Sequence, residues 1–407
     1  MERRDFLRRG ALLAGGALLA ARVAFARADT RSSRFVLVIL RGALDGLASV
    51  PPLADRDYAG LRRELALHAA GEAGGALPLD GFFGLHPSLA FLHECYAARE
   101  LTVLHALASP YRERSHFDGQ DVLENGTPRP HALQTGWLNR ALAASRAPAA
   151  REAGVSLGQN VPLVMRGPAS VTSWSPSKLV ALDDDTLTRI TDLYAGDALL
   201  ASRLADARAA DAIASGEGAG AETMIPQGTP AAAKGKARYA ETVRAAAGFL
   251  RRDDGPKVAV FDTSGWDTHA NEGGAQGQLA GRLGELDAGL ATLRQELGPA
   301  WQETAVLLLT EFGRTAAING TRGTDHGTAT AAFLLGGAVA GGRVIADWPG
   351  LSPRALYQGR DLAPTLDVRS VLKGILAEHL AVPSPALEQE VFPESFAARP
   401  LRGLVRT

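Results

Sequence analysis

Short polar segments hold the side chains that could do chemistry. RGALDG carries Asp45, and SPYRERSHFDGQD carries Arg114, Ser115 and His116. DTSGWDTH carries Asp262, Asp267 and His269, EFGRT carries Glu311 and Arg314, and GTDHG carries Asp325 and His326. Carboxylate oxygens and neutral imidazoles bind divalent cations. Thiolate ligation is out, because the chain has 1 cysteine, Cys95, in the helical-looking FLHECYAA. Asp45, Asp262, Asp267, His269, Glu311, Asp325 and His326 are therefore the candidate metal ligands, enough for two ions. Two ions about 4 Å apart clamp the attacking and leaving oxygens of a phosphoryl-type transfer. Each segment alone also reads plainly: a lone Asp in a turn, a capped helix start, a glycine-bounded turn. DTSGWDTH resists that reading best, since two acids, a histidine and a tryptophan crowd one glycine. His86, in FGLHPSL, reads as a loop-ordering residue, and His68, His93, His105, His131 and His379 carry no functional reading.

What must position these residues is a set of short apolar runs: Arg34–Leu40, Leu101–His105, Lys257–Phe261, Ala305–Thr310 and Ala332–Leu335. Near-continuous apolar runs suit strands covered on both faces, as in parallel sheets. Helical patterns over Ala237–Arg252, Gln278–Leu297 and Asp367–Leu380 alternate with them. The expectation is an α/β fold, a mostly parallel central sheet with helices on both faces. Ligands of open α/β sheets bind beyond the carboxyl ends of the strands. A parallel sheet would therefore bring the polar segments to one rim.

The chain has 407 residues, 46% hydrophobic and 21% charged, with 43 basic against 44 acidic residues. That is an ordinary globular composition without the basic excess of a nucleic-acid binder. Residues 1–28 read as a leader: Arg3-Arg4 and Phe6-Leu7, an apolar run from Ala11 to Ala21, then small residues around Ala26 and Ala28. Such a pattern is a secretory signal of twin-arginine type, and the apolar run is too short to span a bilayer. The expectation is a periplasmic or secreted protein with no stable membrane span and a single domain over 29–407. A helical and flexible excursion is expected around 195–235, where Ala, Gly and Asp dominate.

Together, the RRDFLR leader, LRGALDG, FGLHPSL, SPYRERSHFDGQD, DTSGWDTH, TEFGRT and GTDHG resemble a twin-arginine-exported bacterial family of unknown function. That family is distantly similar to the alkaline phosphatase and sulfatase superfamily. The resemblance implies an alkaline phosphatase-like fold. It places the superfamily's first acid at Asp45, its nucleophile at Ser115, its Asp and His at Asp262 and His269, its next acid at Glu311 and its last histidine at His326. Phe312 stands where the superfamily has a histidine, which implies a site richer in carboxylate and a preference there for Mg²⁺, Mn²⁺ or Ca²⁺ over Zn²⁺. A sulfatase-type signature retains Pro110 and Arg112 but has Ala108 at the nucleophile position, and alanine cannot become formylglycine.

The resulting expectation is an exported hydrolase of phosphate or sulfate esters using one or two divalent ions, with Zn, Mg, Mn and Ca all open. Ser115, Arg114, His116 and Arg314 are its candidate catalytic residues. Its partner is an anionic ester substrate rather than nucleic acid. The alternative is a non-catalytic exported binding or assembly protein that keeps the fold.

Overall fold

Strand β1, Arg34–Arg41, alternates Phe35, Leu37 and Ile39 toward one apolar layer with Val36, Val38 and Leu40 toward another. A period of two with both faces apolar demands cover on both sides. The computed structural model describes residues 33–69, 71–72, 74–145, 152–176, 184–215 and 231–406. The leader expected over 1–28 lies outside the described residues, as does 216–230 of the expected excursion.

In chain order, β1 is followed by helices α1 (Gly46–Ser49) and α2 (Tyr58–Arg62), a hairpin of β2 (Leu77–Pro78) and β3 (Gly84–Leu85), and α3 (Ala90–Ala97). Strand β4 (Leu101–Ala108) leads to α4 (His116–Asn125) and α5 (Trp137–Ala144), then β5 (Gly154–Leu157) and β6 (Val171–Trp174). Helices α6 (Asp184–Tyr194), α7 (Ala198–Ser215) and α8 (Ala231–Arg251) precede β7 (Val258–Ser264) and α9 (Gln278–Leu297). Strands β8 (Thr304–Leu309), β9 (Thr330–Leu335), β10 (Arg343–Ile345) and β11 (Leu366–Asp367) and helices α10 (Val368–Glu378) and α11 (Ser384–Ala386) complete the set.

Eight strands lie in the order β10-β4-β9-β8-β1-β7-β5-β6, with β11 beside β4 as the ninth. Every pairing is parallel except those of β9, which runs antiparallel to both β4 and β8. The architecture is thus a mostly parallel central sheet with helices on both faces. The reversal of β9 has a direct consequence. The segment entering β9, Asp325-His326, reaches the rim that the segments leaving β1, β4, β7 and β8 reach.

One face is covered by α8 and α9, the other by α4, α5 and α10. In α9, Leu279, Leu283, Leu286, Leu290, Leu293 and Leu297 recur every three or four residues, one stripe of a 3.6-residue helix, and all are buried. Each such leucine contributes roughly 1.5–3 kcal/mol by leaving water. Cys95 is buried in the same layer as a free thiol, with burial pushing it up to about 12, so it is inert apolar filling. The five strands and three long helices expected from periodicity are all present. The short strands β5, β6, β10 and β11 carry too few residues to signal themselves. Among the described residues, no helix is long and apolar enough to cross a membrane.

Candidate metal centre

Strand β7 ends at Ser264 and a tight Gly265-Trp266 turn delivers Asp267 and His269 to the rim. Trp266 is buried and donates through Nε1 to Thr263 Oγ1 at 2.9 Å, which fixes the turn. Helix α4 begins at His116, directly after the left-handed Arg114 (φ 61) and the extended Ser115. Strand β8 runs out into Glu311 and Arg314, and an isolated antiparallel bridge joins Arg314 to His326.

Three imidazoles meet around one carboxylate. His116 Nδ1 lies 2.8 Å from Glu311 Oε1, His269 Nδ1 lies 3.2 Å from Asp325 Oδ1, and His326 Nδ1 lies 3.0 Å from the Arg114 carbonyl oxygen. Each of those partners is an acceptor, so each Nδ1 carries a proton. The Nε2 atoms point inward. His269 Nε2 and His326 Nε2 are 3.0 Å apart, and they lie 3.0 and 3.1 Å from Asp267 Oδ1. His116 Nε2 is buried without a hydrogen-bond partner, 3.4 Å from Asp267 Oδ2. His116, Asp267 and His326 each offer a donor atom within 4.8 Å of the others. Nitrogen and oxygen atoms this close repel unless a proton or a metal ion lies among them. Ligands bonded at about 2.0–2.2 Å in a tetrahedron lie about 3.4 Å from one another, so these spacings fit a metal ion. Anchoring the far nitrogen of a ligating histidine to a carboxylate or carbonyl is how proteins orient such ligands.

The surrounding charges act differently on each member of the set. Glu311 is buried, but His116 Nδ1, the Gly42 N–H (2.9 Å), Gln120 (3.1 Å) and Thr310 (2.9 Å) all donate to it. Burial works against its ionisation, and these donors, His116 foremost, outweigh that and hold it below the usual range. The Glu311 hydrogen bond raises His116 in turn. Partial burial also opposes ionisation of Asp267, and Arg314 at 2.5 Å reverses it. Asp325 is lowered first by the Asn319 amide, 3.0 Å away. His326 is lowered by burial and by the neighbouring His116. Phe312 is buried and walls the centre, its ring 5.1 Å from that of His116 and 5.2 Å from that of His326.

The remaining candidates have other placements. Asp45 Oδ1 accepts from Ala48 N–H at the start of α1, and its Oδ2 pairs with the buried Arg62. Arg62 keeps Asp45 ionised against full burial, while burial and the Asp45 charge push nearby Glu272 up to about 8. Asp262 is held by Arg41 at 2.5 Å. Both acids are thus satisfied by arginines rather than turned to Asp267. Glu311 and Asp325 meet the imidazoles through Nδ1, so they orient the cluster from outside it. The groups that converge are the Nε2 atoms of His116, His269 and His326 and the Asp267 carboxylate.

Arg114 turns its guanidinium to Asp361 (2.7 Å) and Gln358 (2.7 Å) and serves the cluster through its carbonyl. Arg314 has a fully buried side chain and binds Asp267 and Thr324. Ser115 occupies the N-cap position of α4, yet its side chain makes no capping bond. His116, a candidate catalytic residue, places its Nε2 3.4 Å from Asp267 Oδ2. Sequence reasoning missed Gln120, Asn319, Arg62 and Glu272. Gln120 was detectable, lying one helical turn beyond His116; Arg62 and Glu272 gave no signal.

Three solved structures share part of this shape. Ps i-CgsB in complex with k-i-k-neocarrahexaose is 10% identical, covering 90% of this chain and 77% of that one, with a TM-score of 0.42. The lipoteichoic acid synthase LtaP from Listeria monocytogenes is 8% identical, with 90% and 78% covered and a TM-score of 0.37. The C-terminal periplasmic domain of EcEptC from Escherichia coli, in complex with Zn, is 10% identical, with 75% and 72% covered and a TM-score of 0.29. No curated protein matches the sequence. Residues 103–389, which include the converging side chains and most of the sheet, match the proteins of unknown function grouped as DUF1501, and the chain belongs to that family.

Proposed function

We propose that this protein is an exported metal-dependent hydrolase of phosphate or sulfate esters. The observation that carries the reading is the convergence of three Nε2 atoms on Asp267, each imidazole being anchored through Nδ1. His116, His269, His326 and Asp267 would hold the ion. Three nitrogens and one oxygen suit Zn²⁺ or a similar borderline ion better than Mg²⁺ or Ca²⁺. A divalent ion there supplies Lewis acidity, drawing charge from an ester oxygen. Arg314 keeps Asp267 ionised, and Glu311, Asp325 and the Arg114 carbonyl fix the imidazoles.

Ser115 lies between two residues tied to the centre: His116 is part of the donor set, and the Arg114 carbonyl holds His326. Its hydroxyl, unspent on capping, is the nucleophile of this reading. Ser115 Oγ forms the new bond to phosphorus or sulfur, the ester alkoxide leaves, and the serine's proton ends on that alkoxide. Water then releases the phosphate or sulfate and restores the serine. The test is elemental analysis of the purified protein beside a panel of phosphate and sulfate esters. One divalent ion per chain with turnover of at least one ester class is expected. Absence of metal after reconstitution with Zn²⁺ and Mn²⁺ overturns the reading. Metal without turnover leaves the non-catalytic binding protein in its place.

A further inference from the structure

A cavity of about 270 Å³ opens where β7 leaves the sheet, lined among others by Arg238, Tyr239, Thr263, Trp266 and Arg282. Trp266, which lines it, immediately precedes Asp267 in the chain. The cavity has a built interior. The Tyr239 ring packs directly on Gly289 of α9, where a Cβ would come within 2.2 Å of it, and meets Phe261 edge-on at 6.2 Å. The Arg282 guanidinium lies on Gly265, where a Cβ would come within 2.9 Å of its Nε. Two glycines thus leave the room that two polar side chains fill.

The lining carries two arginines, Arg238 and Arg282, and two acids, Asp262 and Glu285. The Tyr239 hydroxyl is buried without a hydrogen-bond partner, and burial raises its pKa, so it remains an O–H donor. Thr263 Oγ1 already accepts from Trp266 Nε1, which leaves its own proton to donate. Arg238 and Arg282 add guanidinium donors. Of the lining acids, Asp262 is matched by Arg41 at 2.5 Å and Glu285 by Arg282 at 3.1 Å. A buried donor without an acceptor is unfavourable, and an incoming acceptor relieves it. Donors outnumbering free acceptors select an oxyanion, and arginine is the preferred partner of such groups. The volume lies just under the usual ligand-pocket range, enough for one charged group and a small body.

We propose that this cavity is a second anion subsite, which takes a sulfate or phosphate group carried on the same substrate whose ester bond lies at the metal centre. The word substrate rests on the hydrolase reading; the anion subsite does not. The substrate class becomes a compound with at least two oxyanion groups, one hydrolysed and one held.

The test titrates the purified protein with sodium sulfate and, separately, sodium phosphate, following tryptophan fluorescence against sodium chloride at equal ionic strength. A saturable change with one or both oxyanions is expected, and the stronger of the two names the group. Tyr239→Phe, which keeps the ring, and Arg238→Gln should each weaken binding about tenfold, while His326→Ala should leave it unchanged. No saturable change overturns the subsite, as does binding that survives both pocket substitutions or is lost in His326→Ala. Where an ester is turned over, Tyr239→Phe should raise KM for a doubly anionic ester and leave a singly anionic one unaltered. Equal effects on both esters overturn the shared-substrate claim. Failure of the hydrolase reading shows instead as no turnover of any ester, with oxyanion binding retained.

Discussion

At the scale of single residues, the centre divides groups that would touch an ion from groups that hold those groups still. Asp267→Asn and His269→Ala remove a donor, and each should cut the metal retained after dialysis to below half of the wild-type value, read by elemental analysis. Glu311→Gln keeps an oxygen opposite His116 Nδ1 but loses the charge, and Gln120 and Gly42 then face a neutral amide. Such outer partners change metal affinity about 10–100-fold, so chelator competition should show a loss of that size with the fold intact. Ser115→Ala discriminates sharply here. An N-cap hydroxyl is worth about 1 kcal/mol when it bonds the helix. Ser115 makes no such bond. Stability should therefore stay within about 1 kcal/mol, while turnover falls by several orders of magnitude. Unchanged turnover would remove Ser115 from the chemistry.

Between elements, the polar segments are held together by backbone contact, which explains their glycines. Gly42 has φ +121, donates its N–H to Glu311, and a Cβ there would lie 2.8 Å from the Asp267 nitrogen. The Gly327 backbone bonds to the Gly313 carbonyl at 2.8 Å, and a Cβ at 327 would lie 2.3 Å from the Arg314 carbonyl carbon. Gly42→Ala and Gly327→Ala should both separate segments that must touch. Each should lower the urea midpoint and release metal, and a variant as stable and metal-loaded as wild type would contradict this account. Leu286→Ala, in the buried stripe of α9, should cost about 2–5 kcal/mol, read as a lowered urea midpoint.

For the molecule as a whole, acid lability follows from histidines buried in the neutral form. His105 Nε2 donates to the Val50 carbonyl and its Nδ1 accepts from Ala106 N–H, so both nitrogens are spent without a charge. Burial pushes His105 down to about 4, and it lowers His86 and His379 as well. Above about pH 6.5 neither the folded nor the unfolded state protonates His105. As pH falls from there toward 4 only the unfolded chain takes the proton, and about 3 kcal/mol of stability is lost. Urea midpoints at pH 7.5 and pH 5 should show the drop, and His105→Gln should reduce it. On the export proposal, Arg3→Lys with Arg4→Lys should strand precursor in the cytoplasm, and undiminished periplasmic accumulation would remove that proposal.

Much of this was present in the one-dimensional pattern. The runs that become β1, β4, β7, β8 and β9 are apolar on both faces, and α9 shows its stripe of leucines, because periodicity and burial are properties of a segment and its neighbours in sequence. The polar segments at the strand ends were legible for the same reason, a change from apolar to polar at a fixed point in the chain. The assignment of roles was not. Asp45, Asp262, Asp267, Glu311 and Asp325 are alike as letters, and only packing determines which faces an arginine, an imidazole Nδ1 or the convergent Nε2 atoms. Arg62, Arg41 and Arg314 select among the five, and they do so across separations of 17, 221 and 47 residues. The hydrogen bonds that fix each acid's partner and ionisation thus exist only once the sheet has brought those distant residues together.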